Sequence, residues 1–357
     1  MEKIKAFLRR KDIIFSAKRY FIDAMGAMAQ GLFCTLLVGT ILNTIGQQFH
    51  IGFLNAVTIG KGDGAVNYTI GGLCSAMVGP GMAVAIAGAL KAPPLVLFSL
   101  IPVGFAANYM GGAGGPLAVL FVALFAAEVG KAVSKETKID ILVTPIVTVL
   151  AGIGLSALIA APVGKAASAV GQAIMWATEL QPFFMGIIVS VVIGVALTLP
   201  ISSAAICAAL GLTGCCAQMV GFAVMSFREN RWGGLAAQGI GTSMLQMGNI
   251  VRNPRIWIPP TLASAITGPI ATCIFRMEMN GAPVSSGMGT CGLVGQIGVY
   301  TGWVNDVASG AKAAITGTDW LGLVLISFIL PAVLTWLIAI PLRKWGWIKD
   351  GDLKLDL

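Results

Sequence analysis

Apolar residues in this chain come in blocks of about twenty, separated by short polar or glycine-rich breaks. Strict alternation, the mark of half-buried strands, is missing. The blocks lie at about 24–49, 69–90, 93–110, 113–134, 138–162, 183–199, 200–226, 233–251, 256–276 and 319–342. A helix of about 20 apolar residues spans the hydrocarbon core of a bilayer. The pattern therefore predicts an all-α integral membrane protein with about ten transmembrane helices. Between blocks, 50–68 carries Lys61, Asp63 and Asn67 and reads as an external loop. The stretch 163–181 carries Lys165, Gln172, Trp176 and Glu179 and reads as an interfacial connector. Residues 280–301 are too rich in glycine and polar groups for an ordinary lipid-facing helix. The expected organisation is an amphipathic helix at 1–22, a membrane half at 23–162, a connector at 163–182, a second membrane half at 183–342 and a tail at 343–357.

Composition agrees. Of 357 residues, 57% are hydrophobic and only 11% charged, against about 25% charged in an average soluble domain. Such a chain cannot clothe a globule in solvated side chains, which excludes a soluble enzyme. Glycine, at 46 residues, is abundant, as expected where helices approach closely in a membrane.

The net charge of +8 is unevenly distributed. Residues 1–19 hold seven basic and two acidic side chains, with Ile4, Phe7, Leu8, Ile14 and Phe15 at helical spacing. That predicts an amphipathic helix resting on anionic lipid, rather than a nucleic-acid-binding segment. The positive-inside rule puts the N-terminus in the cytoplasm. Arg343, Lys344 and Lys349, beside Trp345 and Trp347, put the C-terminus there too, so the number of crossings is expected to be even. The sequence thus reads as a multi-pass membrane protein with both termini cytoplasmic.

The seven cysteines have no CxxC spacing, and His50 is the only histidine. Buried, reduced thiols are expected, with no metal site and no cofactor. No GxxxxGK[ST] loop is present, so nucleotide hydrolysis in this chain is excluded, and no catalytic centre is expected.

Two halves resemble each other. Gly79-Pro80-Gly81 and the following apolar run match Leu199-Pro200-Ile201. Glu128-Val129-Gly130-Lys131 matches Gln246-Met247-Gly248-Asn249, and Lys138-Ile139-Asp140-Ile141 matches Arg255-Ile256-Trp257-Ile258. Three matches in order, offset by about 120 positions, predict an internal repeat of the kind used by transporters. Parallel and inverted arrangements of the repeat both fit the pattern. Arg228 and Arg231 before the 233–251 block, with Arg252 and Arg255 after it, suggest a re-entrant or broken hairpin; the alternative is a plain span.

Candidate chemistry centres on a doubled motif, Pro200-Ile201-Ser202-Ser203 and Pro283-Val284-Ser285-Ser286. Proline removes a helix donor and the neighbouring glycines loosen the backbone, so each copy is a place for a helix to break. Freed backbone groups and paired hydroxyls suit a small polar, sugar-like solute, or a carboxylate at a helix N-terminus. The bland alternative is a kinked helix whose hydroxyls bond back to the preceding turn. Gln238, Gln246, Asn249 and Glu278 are expected to support Ser202, Ser203, Ser285 and Ser286 around the solute. Glu278 has Arg276 as a local partner, and Glu128 has Lys131 one turn away.

These halves, the basic N-terminal helix and the Pro-x-Ser-Ser segments resemble the membrane-permease (IIC) subunits of the bacterial phosphotransferase system, most of all the stand-alone, perfringolysin-regulator-like branch. The resemblance covers nearly the whole chain. It implies a ten-span homodimer, an elevator-type transport domain with two re-entrant hairpins, and phosphotransferase partner subunits. The Gly-Ile-Thr-Glu signature of glucose-type permeases has no counterpart in 281–287. Two other readings remain: an ion- or proton-coupled carrier of a small organic anion, and a ligand-binding membrane sensor or regulator.

Overall fold

The computed structural model describes residues 2–59, 66–178, 181–199, 211–275, 277 and 287–355. These are overwhelmingly helical, and divide into two compact units, Met1–Ala166 and Ala167–Leu357, with the border inside the helix Asp140–Thr178.

In the first unit, helix Glu2–Arg10 precedes a continuous helical stretch, Lys18–Gln48. A helical turn at Gly52–Asn55 follows, then a small antiparallel pair of strands, Val57–Ile59 and Val66–Tyr68, with Val57 opposite Tyr68. The sequence pattern suggested only a loop there; three-residue strands are too short to leave a readable alternation. Thr69 starts the next helix by accepting the Gly72 N–H at 2.8 Å. Helices Ile70–Ala76 and Val78–Ala89 meet at a 51° bend, so the apolar block at 69–90 is broken and not straight.

Among the described residues, four helical stretches are long and apolar enough to cross a membrane: Lys18–Gln48, Pro94–Val133, Asp140–Gln172 and Gly317–Lys344. The bent pair at 70–89 makes a fifth if its two pieces are counted as one span. Pro94–Val133 is twice the ~20 residues one crossing needs, and it folds back on itself at Gly112–Gly114, where Gly112 adopts φ +50. A Cβ on Gly115 would stand 2.5 Å from the Asn108 carbonyl oxygen, and one on Gly130 2.7 Å from Val96. These pairs run in opposite directions along the chain, so 94–111 and 115–133 form an antiparallel hairpin.

Outward faces are apolar: Tyr109 is 81% exposed, Leu158 74% and Phe98 63%. A water-soluble helix would carry polar groups there, whereas these faces suit lipid. Inside the first unit, Met82, Ile86, Leu100, Val103 and Leu120 form the core. Gly79 and Gly104 face each other so closely that a Cβ on either would collide with the other's carbonyl oxygen.

The second unit contains helices Pro182–Thr198, Gly211–Met225, Ile258–Pro269, Val294–Ser309 and Gly317–Lys344. Leu212, Cys216, Val299, Trp303 and Leu323 pack in one cluster, and Val189, Ile193 and Cys215 in another. Gly186 lets helix 182–198 touch helix 258–269: its Cβ would stand 2.7 Å from the Gly268 carbonyl carbon. Thr316 and Asp319 form a capping box that starts the last helix.

No disulfide joins the described cysteines. Cys215, Cys216 and Cys291 are buried as expected, but Cys34 and Cys273 are exposed on the single chain. They sit on outward helical faces, where a thiol is a small apolar group facing lipid.

Candidate functional site

The apolar block at 233–251 is not one helix. The helical stretch Phe227–Ala236, itself kinked at Arg231 (φ 51, ψ −146), runs into a π-helical turn, Ala237–Gly241, and stops at Thr242, whose backbone is extended at φ −156 and ψ 141. Short turns Ser243–Gln246 and Met247–Arg252 resume the helix. Thr242 accepts the Met244 N–H at 3.2 Å, a side-chain cap for the second piece. Broken helices free backbone groups, which is tolerable at membrane depth only when other protein groups or a cavity satisfy them.

Three of the expected support residues flank this break and join in one chain of hydrogen bonds. Gln238 donates to Ser226 Oγ at 2.8 Å and to the Gly234 carbonyl at 3.0 Å. Gln246 donates to Gln238 Oε1 at 2.8 Å, and Asn249 donates to Gln246 Oε1 at 2.8 Å. All three are buried. Their remaining donors go to the C-terminal tail: Gln246 to the Leu353 carbonyl at 3.0 Å and Asn249 to the Lys354 carbonyl at 2.8 Å. Asn230 adds a bond to the Leu353 carbonyl at 2.7 Å and accepts the Leu355 N–H at 2.8 Å. Asn253 holds the Trp347 carbonyl and Asp352.

Sequence reasoning treated 343–357 as a tail and passed over Asn230, Asn253 and Ser226. The available signal was the concentration of amide side chains between 230 and 253, together with the leucines at 353, 355 and 357. Leu353 is 0% exposed. Arg343 completes the latch by bonding Glu229 at 3.0 Å and Asp350 at 3.1 Å, and Arg255 lies 5.2 Å from the Trp347 ring centre.

Ser202, Ser203, Ser285, Ser286 and Glu278 lie outside the described residues, as does Arg276. Their downstream flanks are described, and they meet. Cys215 donates to the Gly287 carbonyl at 3.4 Å, and Thr290 donates to the Gly239 carbonyl at 2.5 Å while lying 3.7 Å from Met219 Sδ. Between Gly287 and helix 294–309 the backbone turns through φ +55 at Gly289, +50 at Gly292 and +60 at Leu293. A Cβ on Gly289 would stand 2.7 Å from Cys215 Cβ. The segment after the second Pro-x-Ser-Ser motif is therefore unwound and packed between the helix after the first motif and the broken 237–252 segment. Gln296 lies beside it, donating to Cys216 Sγ at 3.4 Å, with its Oε1 buried and unbonded among the described residues.

Glu128 forms the expected local pair, 3.2 Å from Lys131. Lys131 does more than neutralise it. Its side chain is 1% exposed and donates to the carbonyls of Asp12 at 2.7 Å and Leu90 at 3.0 Å. Tyr20 donates to Glu128 at 3.1 Å, and Arg19 bonds both Asp12 and the Leu90 carbonyl at 2.5 Å. The Arg19 hydrogen bond holds the Asp12 carboxyl below the usual carboxylate range, and Lys11 does the same for Glu136. Among the described residues, no group of three or more His, Cys, Asp or Glu is placed to hold a metal ion.

A buried polar seam of amides, a helix broken at Thr242 and an unwound glycine segment offer hydrogen-bonding surface inside an apolar bundle. No curated protein and no solved structure matches the chain. A family model described as "Phosphotransferase system, EIIC" matches residues 22–355. With nearly the full length matched and several helices apolar enough to cross a bilayer, the chain belongs to the phosphotransferase-system EIIC family of multi-pass membrane permease subunits.

Proposed function

We propose that this chain is the solute-translocating subunit of a sugar phosphotransferase complex, and that its solute is a small, polar, sugar-like molecule. The observation that carries the reading is the family match over 22–355. In this reading Ser202, Ser203, Ser285 and Ser286 contact the solute and Glu278 lines the same site. Gln238, Gln246 and Asn249 support it by holding the broken 237–252 segment in shape. The meeting of the two motif flanks at Cys215–Gly287 and Thr290–Gly239 supports placing both motifs around one solute. The full architecture is about ten spans with an internal repeat, re-entrant hairpins and an elevator-type movement, in a homodimer with both termini cytoplasmic. The 2–10 helix rests on anionic lipid, and separate phosphotransferase proteins supply the phosphoryl group.

The test is labelled-sugar uptake into proteoliposomes with and without cytoplasmic phosphotransfer proteins. Phosphorylated sugar should accumulate only when those partners are present. Ser203→Ala and Ser286→Ala should each weaken solute binding by about 1 kcal/mol per lost hydrogen bond. Accumulation of unmodified solute driven by a pH or Na⁺ gradient would point to an ion-coupled carrier, and saturable binding without movement to a sensor. Unchanged affinity in both serine variants would mean the hydroxyls back-bond within kinked helices. Thr40, Ser99, Thr148 and Ser264 already do so, each donating to the carbonyl four residues earlier.

A further inference from the structure

Three turns of the first unit meet around a cavity of about 350 Å³: the end of the 2–10 helix, residues 91–93, and residues 131–136. Its charged walls are Arg10, Lys11, Lys91, Lys131 and Lys135 against Asp12 and Glu136. The two carboxylates are already engaged. Asp12 is bonded by Arg19, and Glu136 Oε1 is shared by Arg10 at 2.6 Å and Lys11 at 2.5 Å. Lys131 is satisfied by two carbonyls and Glu128. Lys91 and Lys135 remain, with no side-chain hydrogen bond or ion pair among the described residues.

The backbone places those two lysines at some cost. Six described non-glycine residues have positive φ, and three of them line this cavity: Asp12 at 53°, Lys91 at 54° and Lys135 at 61°. Non-glycine residues visit that region rarely, and such outliers concentrate at functional sites. Glu136 shows that the walls accept an anionic oxygen, since one of its oxygens already takes two cationic donors. The two carboxylates, Asp12 and Glu136, against five cationic side chains still leave an excess of positive charge in a concave space.

We propose that this cavity is a binding site for a phosphate group, held by Lys91 and Lys135 with Arg10 and Lys11 beside them. Several ammonium and guanidinium donors converging on one point suit a group with three or more acceptor oxygens carrying more than one charge. The group can arrive as the headgroup of an anionic phospholipid or as a soluble phosphate ester. The exposed apolar side chains of Ile4, Ile14 and Phe15, on the same N-terminal stretch that supplies Arg10, Lys11 and Asp12 to the cavity, give the lipid source an apolar surface for its acyl chains. The site is independent of the solute reading above, because it involves none of the residues assigned to the solute and its test requires no transport.

The experiment uses the purified full chain in detergent. Inorganic phosphate is titrated at constant ionic strength against chloride, with thermal shift as the readout. Retained phosphatidylglycerol is counted against phosphatidylcholine by native mass spectrometry. One or both phosphate-bearing probes should bind the wild-type chain in preference to its control, and the arm that responds identifies the source. The Lys91→Gln/Lys135→Gln double variant should bind at least about tenfold more weakly. Lys138→Gln, on the same exposed turn but outside the cavity, should bind within about twofold of wild type, as expected for a screened surface charge. Equal loss in Lys138→Gln and the double variant would show diffuse surface charge and overturn the site. So would a wild-type chain that prefers neither phosphate to chloride nor phosphatidylglycerol to phosphatidylcholine. That wild-type comparison decides the matter by itself if the double variant fails to fold.

Discussion

Replacing Gln246 by leucine should cost more stability than removing the tail that Gln246 holds. Gln246 makes three hydrogen bonds: to Gln238 Oε1, to the Leu353 carbonyl and from Asn249 Nδ2. Leucine makes none. The Leu353 carbonyl keeps its bond from Asn230, and Asn249 keeps its bond to Lys354. Gln238 Oε1 loses the one partner seen and stays sealed, because Gln238 is 0% exposed. Three bonds at about 1 kcal/mol each, plus about 1–3 kcal/mol for the stranded acceptor, are offset by about 1–2 kcal/mol from leucine's extra apolar burial. The net loss is roughly 2–5 kcal/mol. Ending the chain after Lys349 removes the Leu353 side chain and the tail bonds. It also releases the ordering cost of residues 350–355, about 1–2 kcal/mol each, and lets water reach the amides. That truncation should fall near zero. The assay is the apparent thermal midpoint of detergent-purified chain, with tryptic cleavage at Lys354 reporting whether the tail is docked. Gln246→Leu should lower the midpoint by several degrees and expose Lys354, while the truncated chain should melt within about a degree or two of wild type. A truncation that costs as much as Gln246→Leu would refute the reasoning, because the tail would then be a net source of stability. An unchanged Gln246→Leu midpoint would refute the network itself.

Lys131→Met should destabilise the first unit by about 2–3 kcal/mol, because it leaves the half-buried Glu128 without its counter-charge; the double variant with Glu128→Gln should recover part of the loss when the two midpoints are compared. The Asp12 and Glu136 carboxyls both titrate below their ordinary values in the folded chain, so their contribution is complete above about pH 5 and is lost as pH falls through the lowered folded values. A thermal midpoint followed from pH 7 to pH 3 should therefore fall at the acidic end, and Asp12→Asn with Glu136→Gln should flatten that fall.

Much of this protein was legible in the order of its residues. Blocks of about twenty apolar residues with few charges permit little besides membrane helices, because hydrocarbon leaves a backbone no partner but itself. The local pairing of Glu128 with Lys131 followed from helical spacing, and the arginines around 233–251 marked a block that proved to be broken. The family resemblance rested on the layout of the whole chain, and it agrees with the match over 22–355. Tertiary structure decided matters of long-range partnership. The carbonyls of Leu353 and Lys354 meet Gln246 and Asn249 from more than a hundred positions away, and backbone carbonyls carry no sequence label. Lys131 reaches Asp12 and Leu90 in the same way, so a side chain that helical spacing assigns to one glutamate also ties three separate segments together. The bend at Met77 and the hairpin turn at Gly112 likewise depend on what packs on either side, since glycine and proline permit a break without dictating its direction. Hydrophobicity is a property each residue carries alone, which is why the apolar helices of a membrane protein could be read directly. A hydrogen bond belongs to two atoms at once, so the polar seam emerged only when the fold brought both ends together.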